Sequence, residues 1–543
     1  MIIKFKKGNF LLFIIILIFF VNQVNNLKIG GTTIDERSLD NGNLITFNKI
    51  QDLKNFNIFN GSRLNPNLNQ VSKMETYGQF VSFQQFLFSR LFYQSEFISN
   101  YFENNNLFQS FYSKTTFLRY IYLNLYVSFM LILLYFAVLK FKNQLFAVTF
   151  ISLLILIPSF SGHSLFNQKD ISFLIHVFLA CYFIVQYNYE NNNQTLIIKA
   201  FLSGLAISLR ISGIAFIYIA IIFSAFRQLK SKKSSFTQIY NYYLKFTFLA
   251  LFFYFFFSPG SWFSPIDFII ESFRQQIFLS WDGYTLTNGK FISSSEMSPL
   301  YLIIWYLHKL PVVYIIYLIA AYLGLFLKEL KNDTFYVFSL FFIFSINLVF
   351  IIIRPEVYDG IRQFLFLLPF IVYVSTSILL QIQKSFIYII PITFIYLFIT
   401  QQGLGPYKYV YFNELVDEEN ITFECKNIDG CGNWLTDYWG FSAKEMASYI
   451  NENKLENIYL CKTVEIWDPY IDEALKPIFY DLDKITKKEF LVATIYRPRF
   501  EKDGCGFLQN GINYNCELIH VTNVRLRGKT LDLNYLKKCV LSN

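Results

Sequence analysis

Long apolar runs alternate with short polar breaks along most of the chain. Apolar stretches occupy 117–139, 145–160, 171–187, 196–226, 243–258, 310–327, 334–353, 363–381 and 385–400. Most approach the ~20 residues that cross a hydrocarbon core of about 30 Å. One more run, of about 17 residues, follows the basic start "KFKKGNF"; it suits either a signal peptide or a short spanning helix. Either one leaves the following segment outside the cytosol. The 196–226 stretch is too long for one relaxed span and ends in "RQLKSKK". Two short helices with "LRISG" at a luminal tip keep both flanks cytosolic, and a single tilted helix is the competing reading. Two helices there bring the total to about eleven crossings and leave the C-terminus luminal.

The pattern divides the chain into a first transmembrane helix or signal anchor (1–25), a first luminal loop (26–116), a helix bundle (117–400) and a luminal C-terminal segment (401–543). Inside the first loop, "YGQFVSFQQFLFSRLF" reads as an amphipathic helix lying on the membrane. In the C-terminal segment, "NIYLCKTV", "EFLVATIY" and "NCELIHVTNV" read as strands and "SAKEMASYINE" as a helix. The expected fold is therefore an α-helical polytopic membrane protein with a small luminal α+β C-terminal domain. No internal repeat of the kind found in many transporters is visible.

Composition sharpens this picture. Apolar residues make up 54% of the 543-residue chain, which excludes an ordinary soluble enzyme. The formal charge of +9 concentrates in short loops, so it reports topology and not a nucleic-acid partner. Six of the seven cysteines, Cys425, Cys431, Cys461, Cys505, Cys516 and Cys539, follow residue 401. An even set packed this closely suits disulfides in an oxidising compartment, with about 15 pairings open. A zinc site is the lesser alternative, because no Cys-x-x-Cys is present and His520 is the single histidine of that segment. Sequons at Asn60 and Asn420 agree with luminal exposure.

Ionisable groups at membrane helix ends are functional candidates, and the topology collects many on one face: Asp35, Glu36, Lys169, Asp170, Arg210, Asp282, Glu296, Arg354, Glu356, Asp359 and Arg362. Carboxylates mixed with cations suit a reaction in which one group takes a proton while others hold an anionic leaving group. Plainer readings remain beside this one. Asp170 fits a helix start by its dipole, whereas Lys169 opposes that dipole unless an anion is present. Arg210 can snorkel to the interface. Arg354 and Arg362 can pair with Glu356 and Asp359, Asp35 and Glu36 can be solvated loop charges, and His163 can be a satisfied turn residue.

"GGTTIDE", "SGHSLFNQKDISF", "GLAISLRISG", "SPGSWFSPIDF", "YDGIRQFLFLLPFIVY" and "YVYFNELV…DYWGFSAKEMASYI" resemble, in this order, segments of the GT-C class of polyprenyl-phosphate-sugar-dependent glycosyltransferases. The nearest branch is the dolichyl-phosphate-mannose protein mannosyltransferase-like family, and the resemblance spans roughly residues 30–450. Gln168 stands where such proteins often carry Pro, and Gln363 where His is common. The resemblance implies an inverting transfer of a sugar, mannose first, from a dolichyl or polyprenyl phosphate to an acceptor hydroxyl of a protein or glycan at the luminal face of the endoplasmic reticulum membrane. It makes Asp35 the general base with Glu36 assisting, and assigns the donor phosphate to Lys169, Arg210, Arg354 and Arg362. His163, Asn167, Asp170, Tyr358 and Asp359 would line the site. The lipid-linked sugar is a co-substrate, and a divalent metal is left open. A secondary transporter, or a lipid-handling membrane protein without glycosyl transfer, is the alternative.

Overall fold

A computed structural model describes residues 7–541 other than 34, 56–72, 77, 104–109, 188–192, 232–234, 278–283, 417–433, 435, 461–463, 476–488 and 496–513. The chain opens with α1 (Lys7–Leu27), α2 (Glu36–Asn55), α3 (Gln79–Tyr93) and α4 (Glu96–Glu103). The bundle continues with α5 (Phe111–Leu139), α6 (Gln144–Ile155), α7 (Pro158–His163), α8 (Gln168–Gln186), α9 (Asn193–Leu209), α10 (Gly213–Lys230) and α11 (Phe236–Phe256). After α12 (Pro265–Ile277) a hairpin of β1 (Tyr284–Thr287) and β2 (Lys290–Ser293) leads to α13 (Tyr301–Lys309), α14 (Val312–Leu323), α15 (Lys328–Lys331), α16 (Thr334–Ile353), α17 (Leu368–Gln383) and α18 (Ile389–Ile399). The C-terminal part holds α19 (Ala443–Glu452), β3 (Ile458–Leu460), α20 (Val464–Trp467), β4 (Glu489–Ile495), β5 (Tyr514–Leu526) and β6 (Lys529–Leu541).

Among the described residues, six helices are long and apolar enough to cross a membrane: 9–27, α5, α8, α10, α16, and the 3₁₀ turn and helix running through Arg362–Gln383. Four shorter apolar helices accompany them, and α11 is a further 21-residue helix. This is a polytopic helical membrane protein with a small C-terminal sheet. Helix starts follow local capping chemistry. Ser110 and Ser235 close capping boxes on α5 and α11, and the side chains of Asn143 and Asp333 accept backbone N–H groups at the starts of α6 and α16. Outward apolar residues such as Phe129, Ile222, Phe248 and Ile352 are exposed, as lipid-facing positions should be. By contrast α8 is almost wholly buried and runs through the middle of the bundle.

Several boundaries carry a physical reason. The 196–226 stretch is two helices, α9 and α10, meeting at Arg210–Ser212; the single tilted helix is excluded. The 145–160 run breaks after Leu156, where Pro158 cannot continue the ladder and starts α7 instead. The buried face of α3 is mixed: Gln79, Ser82, Gln85 and Ser89 lie inside beside Val81 and Phe86, while Leu91 and Phe92 are exposed.

The C-terminal sheet has the order β3-β4-β6-β5, with β3 parallel to β4 and the remaining pairs antiparallel. Ala443, Met446 and Ile450 of α19 pack against it with Trp467. β6 and the β1–β2 hairpin went unread in the sequence. The hairpin has a clear mark: Asn288–Gly289 both take positive φ, 49° and 77°, as a two-residue turn between strands requires. The segment 404–412 does not leave the bundle. Leu404, Tyr407, Tyr409, Tyr411 and Phe412 are buried in its core, and the 3₁₀ turn Gly405–Val410 lies against α7.

That contact is close enough to exclude a side chain. A Cβ on Gly162 would sit 2.2 Å from the backbone N of Tyr409. Gly162→Ala should therefore destabilise the protein by about 1–3 kcal/mol through overpacking against backbone that cannot yield. The apparent Tm in detergent would show this as a fall relative to Ser159→Ala, which removes a buried hydroxyl that has no hydrogen-bond partner.

Candidate functional site

The site grows from four chain turns at one end of the bundle. The first is the start of α8. Asn167 caps it, its Oδ1 accepting the N–H of Asp170 at 3.2 Å. This bond fixes the amide orientation, so Asn167 Nδ2 donates to Asp170 Oδ2 at 2.9 Å and to His163 Nδ1 at 3.1 Å. With Nδ1 accepting, His163 carries its proton on Nε2 and donates it to Tyr438 Oη at 3.3 Å. Burial depresses the His163 pKa to about 3, so the ring is neutral at physiological pH. His163 is a satisfied residue with both nitrogens engaged.

The second turn lies between α9 and α10, where Arg210 Nη2 reaches Asp170 Oδ1. The third is the loop ahead of the 362–367 turn. Tyr301 clamps it, its hydroxyl accepting from Gly360 N–H and donating to Gly360 C=O, and Asp359 adopts a positive φ of 58°. Arg362 then meets three carboxylates: Asp359 Oδ2 at 3.1 Å from Nη1, Asp35 Oδ2 at 3.5 Å from Nη2, and Asp170 Oδ2 at 3.6 Å from Nε. Its guanidinium lies over the Trp439 ring at 4.4 Å and beside Tyr358 at 5.2 Å. Lys169 adds a third cation, interacting electrostatically with Arg210, Asp170, Arg362 and Asp35. Three cations thus face three carboxylates. Of those carboxylates only Asp35 is open: its side chain is 45% exposed, against 5% for Asp170 and 4% for Asp359.

The fourth turn is 436–442. Asp437 accepts the N–H groups of Phe441 at 3.1 Å and Ser442 at 3.0 Å, together with the hydroxyls of Tyr409 and Ser442. Burial raises its pKa, and these four bonds oppose that rise. Asn534 of β6 donates to Ser442 Oγ at 2.6 Å. The turn is therefore fastened to bundle and sheet alike, and it holds Tyr438 and Trp439 against the cluster. On the other side Gly31 N–H bonds Phe441 C=O at 2.8 Å, and the Phe441 ring occupies the space where a Gly30 Cβ would stand. The two glycines let "GGTTIDE" lie flat on this turn and deliver Asp35.

Asp35 and Glu36 diverge as α2 begins. Glu36 turns inward, its Oε2 3.5 Å from Arg119 Nη1, which also meets Asp40 at 3.1 Å. Arg119 Nη2 further donates to Thr116 Oγ1 at 2.8 Å. Glu36 is buried, and with Arg119 it fixes α2 on α5. Arg354 stands apart as well: it is exposed, caps α16 with φ 49° and makes no ion pair among the described residues. Asn60, Asn420, Cys425, Cys431, Cys461, Cys505 and Asp282 lie outside the described residues. Cys516 stands opposite Cys539 in the β5–β6 register, and Cys539 is disulfide-bonded. Among the described residues no group of three or more His, Cys, Asp or Glu side chains is arranged to hold a metal ion. The carboxylates near Arg362 are each turned to a cation.

Arg119, Tyr301, Tyr438 and Trp439 went unremarked in the sequence. Arg119 carries a usable signal, an ionisable residue within an apolar helix. The aromatic residues carry none, because one Tyr or Trp more in a chain rich in them says nothing of position.

No family model and no curated protein matches this chain. Among solved structures, the crystal structure of ArnT from Cupriavidus metallidurans bound to undecaprenyl phosphate is similar, with a TM-score of 0.47 and 10% identity over 97% of each chain. Likeness of that degree carries no argument about family or activity.

The Glu36 site yields a pH dependence. Burial outweighs Arg119 and raises its pKa from 4.5 to about 7. Folding therefore takes up a proton between those values, and stability falls as pH rises through that window and then levels. Across pH 4.5–7 the Tm difference should shift steadily in favour of Glu36→Gln over wild type. A constant difference would mean that Glu36 is ionised throughout.

Proposed function

We propose that the chain is a membrane glycosyltransferase that moves a sugar from a polyprenyl phosphate to an acceptor hydroxyl with inversion at the anomeric carbon. One observation carries this reading. Arg362, flanked by Arg210 and Lys169, lies 3.5 Å from a single water-accessible carboxylate, Asp35. In the reaction Asp35 accepts the proton of the acceptor hydroxyl as its oxygen attacks the anomeric carbon. The bond from that carbon to the phosphate oxygen breaks on the opposite side, and the phosphate leaves as an anion. Arg362, Arg210 and Lys169 hold it as its charge grows, a contribution of roughly 10²–10³ in rate for one well-placed donor.

Without ligand the cluster sets Arg362, Arg210 and Lys169 against Asp35, Asp170 and Asp359. An arriving phosphate competes with Asp35 for Arg362, and a carboxylate released in this way is free to act as base. Donor binding would thus prime the base. The tail of the lipid has a candidate path in an apolar groove of about 370 Å³, lined by Tyr306, Leu310, Ile343, Asn347, Leu367 and Ile371. It runs along the helix that Arg362 begins. The sugar as mannose, the carrier as dolichyl phosphate, and an endoplasmic reticulum location with the C-terminus luminal rest on the motif resemblance. A transporter reading is less favoured, because the charges gather at helix starts and not on broken helices near the midplane.

Wild-type protein in vesicles should transfer label from a radiolabelled polyprenyl-phosphate sugar, or slowly hydrolyse it. Asp35→Asn should lower turnover by about 10²–10⁴ while donor binding is kept or tightened, since Arg362 no longer has that carboxylate to give up. Arg362→Lys keeps the charge but loses the fork, and should weaken binding of the donor. Failure of wild-type protein to turn over any such donor, together with solute uptake in the same vesicles, would overturn the reading.

A further inference from the structure

The buried donors around Arg362 exceed their partners. Arg362 Nε and Arg210 Nε have no hydrogen-bond acceptor, and neither has Trp439 Nε1, although Trp439 is 4% exposed and Arg362 8%. Tyr438 Oη lies near the indole N–H, but the geometry falls short of a hydrogen bond. Tyr438 has a donor to spare for a different reason. Its oxygen already accepts the Nε2 proton of His163, whose tautomer is fixed through Asn167 by Asp170. The hydroxyl proton of Tyr438 is left to give, next to Arg362 and Asp359. An unmet buried donor is costly, so several in one place call for a common acceptor.

The chemistry of that acceptor follows from what is already used. Asp170 is taken by Arg210, Asn167 and Arg362, and Asp359 by Arg362. The free valences that remain are N–H and O–H. Against them stands one unpartnered amide oxygen at the start of α8, Gln168 Oε1. A sugar hydroxyl asks for acceptors as well as donors, whereas a phosphoryl oxygen only accepts. The donor-rich wall therefore matches the phosphate better than the sugar.

Resting on the glycosyl-transfer reading, we propose that Tyr438 and Trp439, contributed by the segment after the last membrane helix, bind the phosphoryl oxygens of the lipid donor directly. The buried Asp437 turn holds both rings in place, with the Arg362 guanidinium 4.4 Å from the centre of the Trp439 ring. The C-terminal part thereby completes the donor site.

The test measures equilibrium binding of farnesyl phosphate, which carries no sugar, to the full chain in detergent. Tyr438→Phe keeps the phenyl ring and deletes the hydroxyl, and Trp439→Phe keeps one aromatic ring and deletes the indole N–H; each should raise Kd by roughly 10-fold or more, as loss of a charge-assisted hydrogen bond does. Both variants should lower the Tm somewhat, since Tyr438→Phe leaves His163 Nε2–H without its acceptor and Trp439→Phe empties part of the indole site, so binding is measured at a temperature where each variant is fully folded. Wild-type affinity in both variants, with binding weakened in Arg362→Lys, would overturn this assignment and leave the glycosyl-transfer reading standing. Weakening seen only with a sugar-bearing donor would move the contact to the sugar and overturn it too. No binding of farnesyl phosphate by wild-type protein would sink both ideas.

Discussion

The guanidinium of Arg362 is the tie on which the site depends. It gathers a carboxylate from the segment ahead of α2, another from the start of α8 and a third from its own turn, and it lies over an indole from the C-terminal part. A charge at this depth is costly without partners, so folding must bring all four segments together before the helix that begins at Arg362 can settle. A planar fork with five donors can satisfy three carboxylates in different directions, which an ammonium cannot. The site and the packing of this end of the bundle are in this sense one arrangement.

A second buried arginine works differently. Arg119 faces Glu36 and Asp40, both on α2, and donates to Thr116 on its own helix. With one cation against two carboxylates in a dry place, a proton on Glu36 is the cheapest way to balance charge, hence its raised pKa. Two adjacent acidic residues therefore do separate work: one clamps α2 to α5, and its neighbour reaches water beside Arg362. The clamp fixes where the reaching residue stands.

Much of the fold could be read from the sequence, for reasons visible in particular segments. Apolar runs near span length gave the bundle because backbone polar groups in lipid must be satisfied within a helix, and "LRISG" marked the α9–α10 break. Of the four C-terminal strands, three were legible by their apolar content, whereas β6, "KTLDLNYLKKCVL", was hidden by its charges. For the site, the ionisable residues were legible since charge near a membrane needs a reason. The fold brings Asp35, Lys169, Asp170, Arg210, Asp359 and Arg362 together. Arg354 shares the loop but not the cluster: it caps α16 and is exposed.

The amino-acid order by itself determined which residues bear chemistry and which end of each helix carries them, since hydropathy and charge are properties of a local window. It could not determine which partner each charge would choose. Asp35 and Glu36 are equivalent on paper, and only the turn into α2 sends one outward and the other under Arg119. Nor could it bring Tyr438 and Trp439 to Arg362 across about eighty residues, as that contact exists only once the Asp437 turn is bonded to Tyr409 and Asn534. Long-range pairing of buried polar groups is decided by geometry in three dimensions, where direction and desolvation select among many chemically equal choices.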